Sequence, residues 1–229
     1  MTDWDACLAE ATAGPISGRL LRLVESQEEV ATTQLVSSLE RQAVLEELLE
    51  ATKPRLRKGS ERLHYLLATP FRYASLYPSR FRGPGDPGVF YAAEERRTAC
   101  AEVGYWRWRF LADSRGLDTL GPSPQTLFQV KAKARAVDLR KKPFARDQAK
   151  WRHPADYAAT QAFARAAREA PVGIIRYQSV RDPGKGGCAA RMLSMSRWIV
   201  AIHSGPLFGN APSPVKCQFT VTGQWIGYV

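Results

Sequence analysis

The segment from Ser79 to Trp106 reads SRFRGPGDPGVFYAAEERRTACAEVGYW, and its pattern changes along its length. The hexapeptide GPGDPG (83–88) predicts a turn, because glycine and proline interrupt regular structure. The apolar run VFYAA (89–93) predicts a short buried strand. From Glu94 onward a helix is predicted, since apolar residues recur at helical spacing at Ala99, Val103, Trp106 and Phe110. The segment therefore predicts a turn, a strand and a helix in direct succession.

Three side chains of this segment are candidates for chemistry. Arg80 precedes the turn, Tyr91 lies in the strand, and Glu102 adjoins Val103 at the edge of the apolar stripe. A carboxylate at such an edge is expected to be partly screened from water. Each of the three has an ordinary structural role when taken singly, so their candidacy depends on their ordered combination in one unit.

The rest of the chain predicts helices and strands in irregular alternation. Residues 26–52 have helical spacing, and we interpret 1–60 as a helical extension of a domain at 61–229. The other predicted elements are a strand at 63–73, a strand at 127–130, a helix at 153–170, a strand at 172–180 and a hairpin around Gly223. We find no regular βαβ series, so the sequence predicts an α+β fold with a mixed sheet.

Composition and residue spacing exclude several classes of protein. The chain has 229 residues and is 45% hydrophobic, which suits one sizeable domain. No apolar run is long enough for a membrane span, and the N-terminus lacks the features of a signal peptide, so we expect a cytoplasmic protein. The four cysteines and three histidines show no metal-ligand spacing, and we expect no metal.

The formal net charge of +11 favours an anionic partner. Residues 131–152 are strongly basic, which is typical of a solvated helix face or a loop. Together with the aromatic residues of YWRWRF (105–110), this charge supports an alternative, a nucleic-acid-binding protein without catalytic activity. However, Trp106 and Phe110 fall on the predicted buried stripe and no nucleic-acid-binding motif occurs, so we do not expect direct nucleic-acid binding.

The motifs around the three candidates resemble those of the RES domain family, toxins of bacterial toxin–antitoxin pairs. The resemblance rests on SRF with its turn, VFYAAE and TACAEV, and extends through DYAATQ (156–161) and GIIRYQSVRDPGKGGCAA (173–190). It implies a fold like that of ADP-ribosyltransferases and cleavage of NAD at the nicotinamide–ribose bond. ADP-ribose would then pass to a target protein, phosphate or water. The implied partner is an antitoxin with an Xre-like, helix-turn-helix region that covers the active site.

The resemblance also implies roles for particular residues. Glu102, Tyr91 and Arg80 match the catalytic motif, and Arg72, Arg80, Tyr91 and Ser179 would contact NAD. Arg72 stands in for an arginine that the family often carries on its first strand. These residue types suit the reaction, because a carboxylate stabilises an oxocarbenium-like ribose and a forked guanidinium matches a pyrophosphate. Tyr91 would offer an aromatic face to nicotinamide, and Ser179 would bond a ribose or the nicotinamide amide.

Overall fold

A computed structural model describes most of the chain, namely residues 7–9, 14–26, 35–61, 63–73, 76–170, 172–192, 202–203, 216–222 and 225–228. The strands are β1 (Gly14–Glu25), β2 (Val89–Ala93), β3 (Thr119–Asp138), β4 (Ile174–Gln178), β5 (Gly187–Met192), β6 (Ile202–His203), β7 (Lys216–Thr222) and β8 (Trp225–Tyr228). The helices are α1 (Leu39–Thr52), α2 (Tyr65–Arg72), α3 (Arg96–Asp113), α4 (Gln148–Trp151) and α5 (Ala158–Glu169). None of the helices in the described part of the chain is long and apolar enough to cross a bilayer.

Five strands pair in a closed ring. β1 runs antiparallel to β3 from Gly14↔Ala136 to Glu25↔Gln125, and it meets β2 at Leu21↔Ala93. β2, β5 and β4 follow as antiparallel neighbours, and β4 returns to β3 in parallel. β7 and β8 extend the sheet from β3. The single parallel pairing makes the sheet mixed, and the prediction of an α+β fold is confirmed.

Two apolar cores lie on the two faces of this ring. One contains residues from all five ring strands together with Leu67 and Phe71 of α2. The other lies beneath α3 and α5 and includes Phe163, Ile175 and Met192. The cavity described below opens between the ring and α3, so both cores support its walls.

The N-terminal part of the chain differs from the prediction of a helical extension over 1–60. Residues 14–25 form β1, which lies inside the sheet between β2 and β3. Among the described residues of this range, helix is found at Leu39–Thr52 and in a short piece at 7–9. The longer helix is capped by Ser38, whose side chain accepts a hydrogen bond from the Arg41 N–H. The predicted helical residues 27–34 lie outside the described residues. The prediction of a helical extension is therefore wrong for residues 14–25, because a strand that is stabilised by distant partners leaves little signal in its local sequence.

The prediction of a strand at 63–73 is wrong. This segment forms α2, in which Leu67 and Phe71 are buried four residues apart, one helical turn from each other. The basic run also differs from its prediction, since residues 131–138 belong to β3. There Ala132, Ala134 and Ala136 are buried while the charged residues between them are exposed, which is the alternation of a strand. The other predicted strands, the helix near 153–170 and the terminal hairpin are confirmed in type.

Helix α3 is confirmed, but its buried face differs from the predicted stripe. Its buried residues are mostly small: Thr98, Ala99, Cys100, Ala101, Gly104 and Leu111. By contrast, Trp106 is 44% exposed and Phe110 is 60% exposed. Small side chains let the first half of α3 approach the sheet closely, whereas Trp106 and Phe110 of its second half are exposed.

Candidate active site

One cavity brings the three candidate residues together. Arg80, Tyr91 and Glu102 all line it, although they come from a turn, a strand and a helix. The remaining lining includes several aromatic and cationic side chains, among them Arg22, Trp106, Tyr157, Tyr177 and Arg181. Among the described residues that line it, the cavity therefore combines one carboxylate with guanidinium groups and aromatic rings.

Glu102 is held by a hydrogen bond from Ser179. The Ser179 Oγ donates to Oε1 of Glu102 over 2.6 Å. The same Oγ accepts the backbone N–H groups of Arg181 and Asp182, at 3.1 and 3.0 Å, so its own hydrogen is directed to the carboxylate. Burial raises the pKa of Glu102 above its ordinary value, while the Ser179 hydrogen bond and the charges of Arg80 and Arg181 oppose that rise.

Arg80 is buried, with only 7% of its surface exposed. Its Nη1 donates to the carbonyl oxygens of Trp151 and His153, at 2.7 and 3.1 Å. Its guanidinium carbon lies 4.9 Å from the centre of the Tyr157 ring. No carboxylate within the described ranges forms an ion pair with Arg80, so its charge remains available to an anion in the cavity. Arg80 thus both fixes the segment after α4 and contributes charge to the site.

Tyr91 connects strand β2 to the turn that carries Arg80. Its hydroxyl forms a hydrogen bond of 2.8 Å with the Ser79 Oγ and accepts the Phe81 N–H at 3.0 Å. Burial raises the pKa of Tyr91, so the phenol is neutral at physiological pH. Its hydroxyl is occupied by these contacts, and the ring is the part that Tyr91 offers to the cavity.

Sequence reasoning missed Arg22, which lies on β1 and lines the cavity. Its Nη1 donates to the Tyr91 carbonyl at 2.8 Å, and its guanidinium carbon lies 4.6 Å from the centre of the Phe90 ring. Its Nε is buried without a hydrogen-bond partner among the described residues. Burial lowers the pKa of Arg22 to about 10. The available signal was the arginine inside the apolar run LLRLV (20–24), which is unusual for a buried strand.

The structure does not bring Arg72 to the cavity. Arg72 ends α2, where its Nε donates to the Pro54 carbonyl at 2.6 Å and its Nη2 lies 3.8 Å from a Glu50 oxygen. The expectation that Arg72 joins the other candidates at one site is therefore corrected, because a helix in place of a strand turns this side chain toward α1. Ser179 adjoins the cavity only through Glu102, and its hydroxyl is already committed to that carboxylate.

A second group of contacts closes the far wall of the cavity. The Arg181 guanidinium carbon lies 3.5 Å from the centre of the Tyr105 ring, and its Nη2 lies 3.1 Å from the Tyr157 hydroxyl. This links α3 to the segment before α5. Cys188 also lines the wall, 4.0 Å from Oε1 of Glu102, and burial raises the pKa of its thiol. A thiol kept protonated is a poor nucleophile and a poor metal ligand.

Comparisons with known proteins identify relatives of this chain. A sequence model of the RES domain matches residues 55–192, more than half of the chain. No curated protein matches it. Among solved structures, the chain resembles the crystal structure of the M. tuberculosis MbcT-MbcA toxin-antitoxin complex. The TM-score is 0.48 and the identity 13%, over 82% of this chain and 80% of the other. The matched range of the RES domain contains α3 and β2, but neither Arg22 nor α1.

Proposed function

Because this chain belongs to the RES domain family, we propose that it is the toxin of a toxin–antitoxin pair and that it cleaves NAD at the nicotinamide–ribose bond. ADP-ribose then passes to a target protein, to phosphate or to water, so the enzyme is an ADP-ribosyltransferase or an NAD phosphorylase or glycohydrolase. The observation that carries the proposal is the Glu102 carboxylate, fixed by Ser179 in a cavity bordered by Arg22, Arg80 and Arg181.

In this proposal Glu102 acts on the ribose. Departure of nicotinamide leaves positive charge on the C1′ carbon, and a fixed negative group nearby lowers the energy of that state. The bond from Ser179 holds the carboxylate in place before the reaction, so little reorganisation is needed when charge develops. The reaction requires ionised Glu102, and its raised pKa therefore predicts loss of activity at acid pH.

Arg22 and Arg80 bind the pyrophosphate of NAD in this proposal. Neither forms an ion pair with a carboxylate within the described ranges, and Arg22 has a buried Nε without a partner. A pyrophosphate would supply negative charge to both guanidinium groups and an acceptor oxygen to the Arg22 Nε, through the short, charge-assisted bonds that arginine and phosphate form. This support comes from the cavity itself and does not depend on the family.

The aromatic lining suits the nicotinamide ring. Tyr91, Tyr177 and Trp106 border the same cavity as Glu102. Because the hydroxyl of Tyr91 is bound to Ser79 and Phe81, its ring is held in one orientation. A planar heteroaromatic group next to Glu102 would stack on such rings and place its bond to ribose beside the carboxylate.

The proposed partner is an antitoxin whose Xre-like, helix-turn-helix region accompanies a segment that covers the cavity. A carboxylate or chain terminus of that segment would neutralise Arg80, which has no paired carboxylate within the described part of the chain. Covering the mouth would exclude NAD and thereby inhibit the enzyme.

The test is to incubate purified protein with NAD, alone and with phosphate or a cell extract as acceptor, and to measure released nicotinamide. We expect release by the native chain and growth arrest with NAD depletion on induced expression. The proposal of NAD cleavage fails if no acceptor supports nicotinamide release. The role of Glu102 in it fails if Glu102→Gln leaves toxicity unchanged.

A further inference from the structure

The outer faces of β1 and β3 carry a strip of cations, Arg19, Lys131, Lys133 and Arg135, which we call the cationic strip. All four side chains are exposed, and Arg19 lies directly opposite Lys131 in the strand pairing. Neighbours on β3 are about 6.7 Å apart along the strand. Like charges placed opposite each other destabilise a sheet. No ion pair to a described carboxylate relieves this repulsion, so the strip favours an anionic ligand.

The cationic strip leads directly to the cavity. Arg19 and Leu21 are two residues apart on β1, so their side chains project from the same face. Leu21 lines the cavity. The alternate residues of β3, such as Ala132 and Ala134, are packed in the core, which keeps the strip on the outer face. An anionic chain bound along the strip would therefore reach the cavity mouth.

One exposed aromatic ring of α3 borders the same cavity, and a second lies one helical turn further along. Trp106 is 44% exposed and lines the cavity, and Phe110, one helical turn further on, is 60% exposed. Exposed rings next to positive charge are the usual stacking platforms for unpaired bases. Predicted burial of these two rings was one of two objections to nucleic-acid binding, and their exposure in the structure removes it; the other, that the sequence carries no known nucleic-acid-binding motif, stands.

We propose that this chain binds single-stranded nucleic acid across the cavity mouth, with phosphates on the cationic strip and bases on Trp106 and Phe110. A single strand uses both features, because its bases are free to stack. A duplex or an acidic polypeptide would use only the cations. Binding at this surface is independent of NAD cleavage, and it places a polyanion beside the proposed reaction centre.

The test is an anisotropy titration of a fluorescent 16-nucleotide oligo-dT without NAD, at 50 and 200 mM salt. Each phosphate contact contributes about 0.7 to the slope of log affinity against log salt concentration. If the four cations each contact a phosphate, affinity therefore falls about 50-fold between 50 and 200 mM salt. The triple variant Lys131→Gln, Lys133→Gln, Arg135→Gln retains one contact, so we expect a fall of only about threefold. The matched control is Arg55→Gln, Lys58→Gln, Lys141→Gln, which removes equal charge from exposed positions elsewhere.

A second variant separates base stacking from charge. Phe110→Ala should weaken binding about tenfold without changing the salt dependence, while Leu117→Ala, another exposed apolar residue, should leave affinity unchanged. The inference is overturned if the native chain shows no binding at 50 mM salt, or if the strip variant and its control behave alike. It is also overturned if a polyglutamate of equal length, or a duplex, competes as well as oligo-dT. Because no NAD is present, failure here and failure of NAD cleavage are distinguishable.

Discussion

The hydroxyl of Ser179 donates a hydrogen bond of 2.6 Å to the carboxylate of Glu102, 77 residues earlier in the chain. The backbone after β4 orients this hydroxyl, and the hydroxyl orients the carboxylate. Ser179 is therefore a positioning residue in the structure rather than a direct contact of the cavity. Replacing Ser179 tests whether the pKa of Glu102 depends on the Ser179 hydroxyl.

Ser179→Ala should move the acid limb of the pH–rate profile to higher pH. The variant loses the hydrogen bond that stabilises ionised Glu102, so the pKa of Glu102 rises further. Two backbone N–H groups also lose their acceptor, and the free energy of unfolding should fall by about 1–3 kcal/mol. Nicotinamide release measured between pH 4 and 8 checks the first effect and urea unfolding the second. Ser179→Thr, which retains the hydroxyl, should recover the native profile; an unshifted acid limb in Ser179→Ala would contradict the positioning role.

Glu102→Gln should lower the rate of NAD cleavage by at least about a hundredfold, since a neutral amide does not stabilise the developing charge. The variant should also melt at a higher temperature than the native chain above neutral pH. A carboxyl whose folded-state pKa is raised loses stability as pH rises through that pKa, and the amide does not. The difference in melting temperature should vanish near pH 4. Glu95→Gln, an exposed position just before α3, is the control and should change neither quantity.

Arg22→Met should raise the KM for NAD at least tenfold with little change in stability. Arg22 is a largely buried cation without an ion pair among the described residues, and burial lowers its pKa. Replacing it with an apolar side chain of similar length removes a desolvation cost but also the hydrogen bond to the Tyr91 carbonyl, and because these two effects oppose each other the free energy of unfolding should change little. Arg19→Met, three residues away on the opposite, exposed face of β1, should leave the KM for NAD unchanged. An unaltered KM in Arg22→Met would show that Arg22 does not take part in binding NAD.

Arg80→Ala should inactivate the enzyme and also destabilise it, by about 3 kcal/mol. The variant removes the donor to the carbonyl oxygens of Trp151 and His153, and charged donors contribute about 1.5–3 kcal/mol each. Urea unfolding checks this result, with Arg115→Ala, an exposed residue after α3, as the control. Because folding and chemistry change together here, an inactive Arg80→Ala says less about the reaction than Glu102→Gln does. Native stability in Arg80→Ala would show that its two carbonyl contacts are dispensable.

The local sequence pattern was enough to predict much of the fold around the site. The turn at 83–88, strand β2 and helix α3 were predictable because glycine, proline and apolar spacing act over a few residues. Strand β1 was not predictable, since its stability comes from pairing with β3, more than a hundred residues away. The sequence gives little indication of Arg22 for the same reason, and it favours Arg72 instead because it predicts a strand at 63–73.

The sequence by itself was enough to identify the RES motifs, with Arg80, Tyr91 and Glu102 in order, and to predict the α+β class. Tertiary structure alone decided that Arg22 enters the cavity, that the Ser179 hydroxyl turns to Glu102, and that Phe110 stays exposed. The physical reason is the distance along the chain over which each kind of interaction acts. Side-chain type and spacing fix local conformation, whereas burial, charge pairing and the direction of a hydroxyl depend on which distant segments pack together.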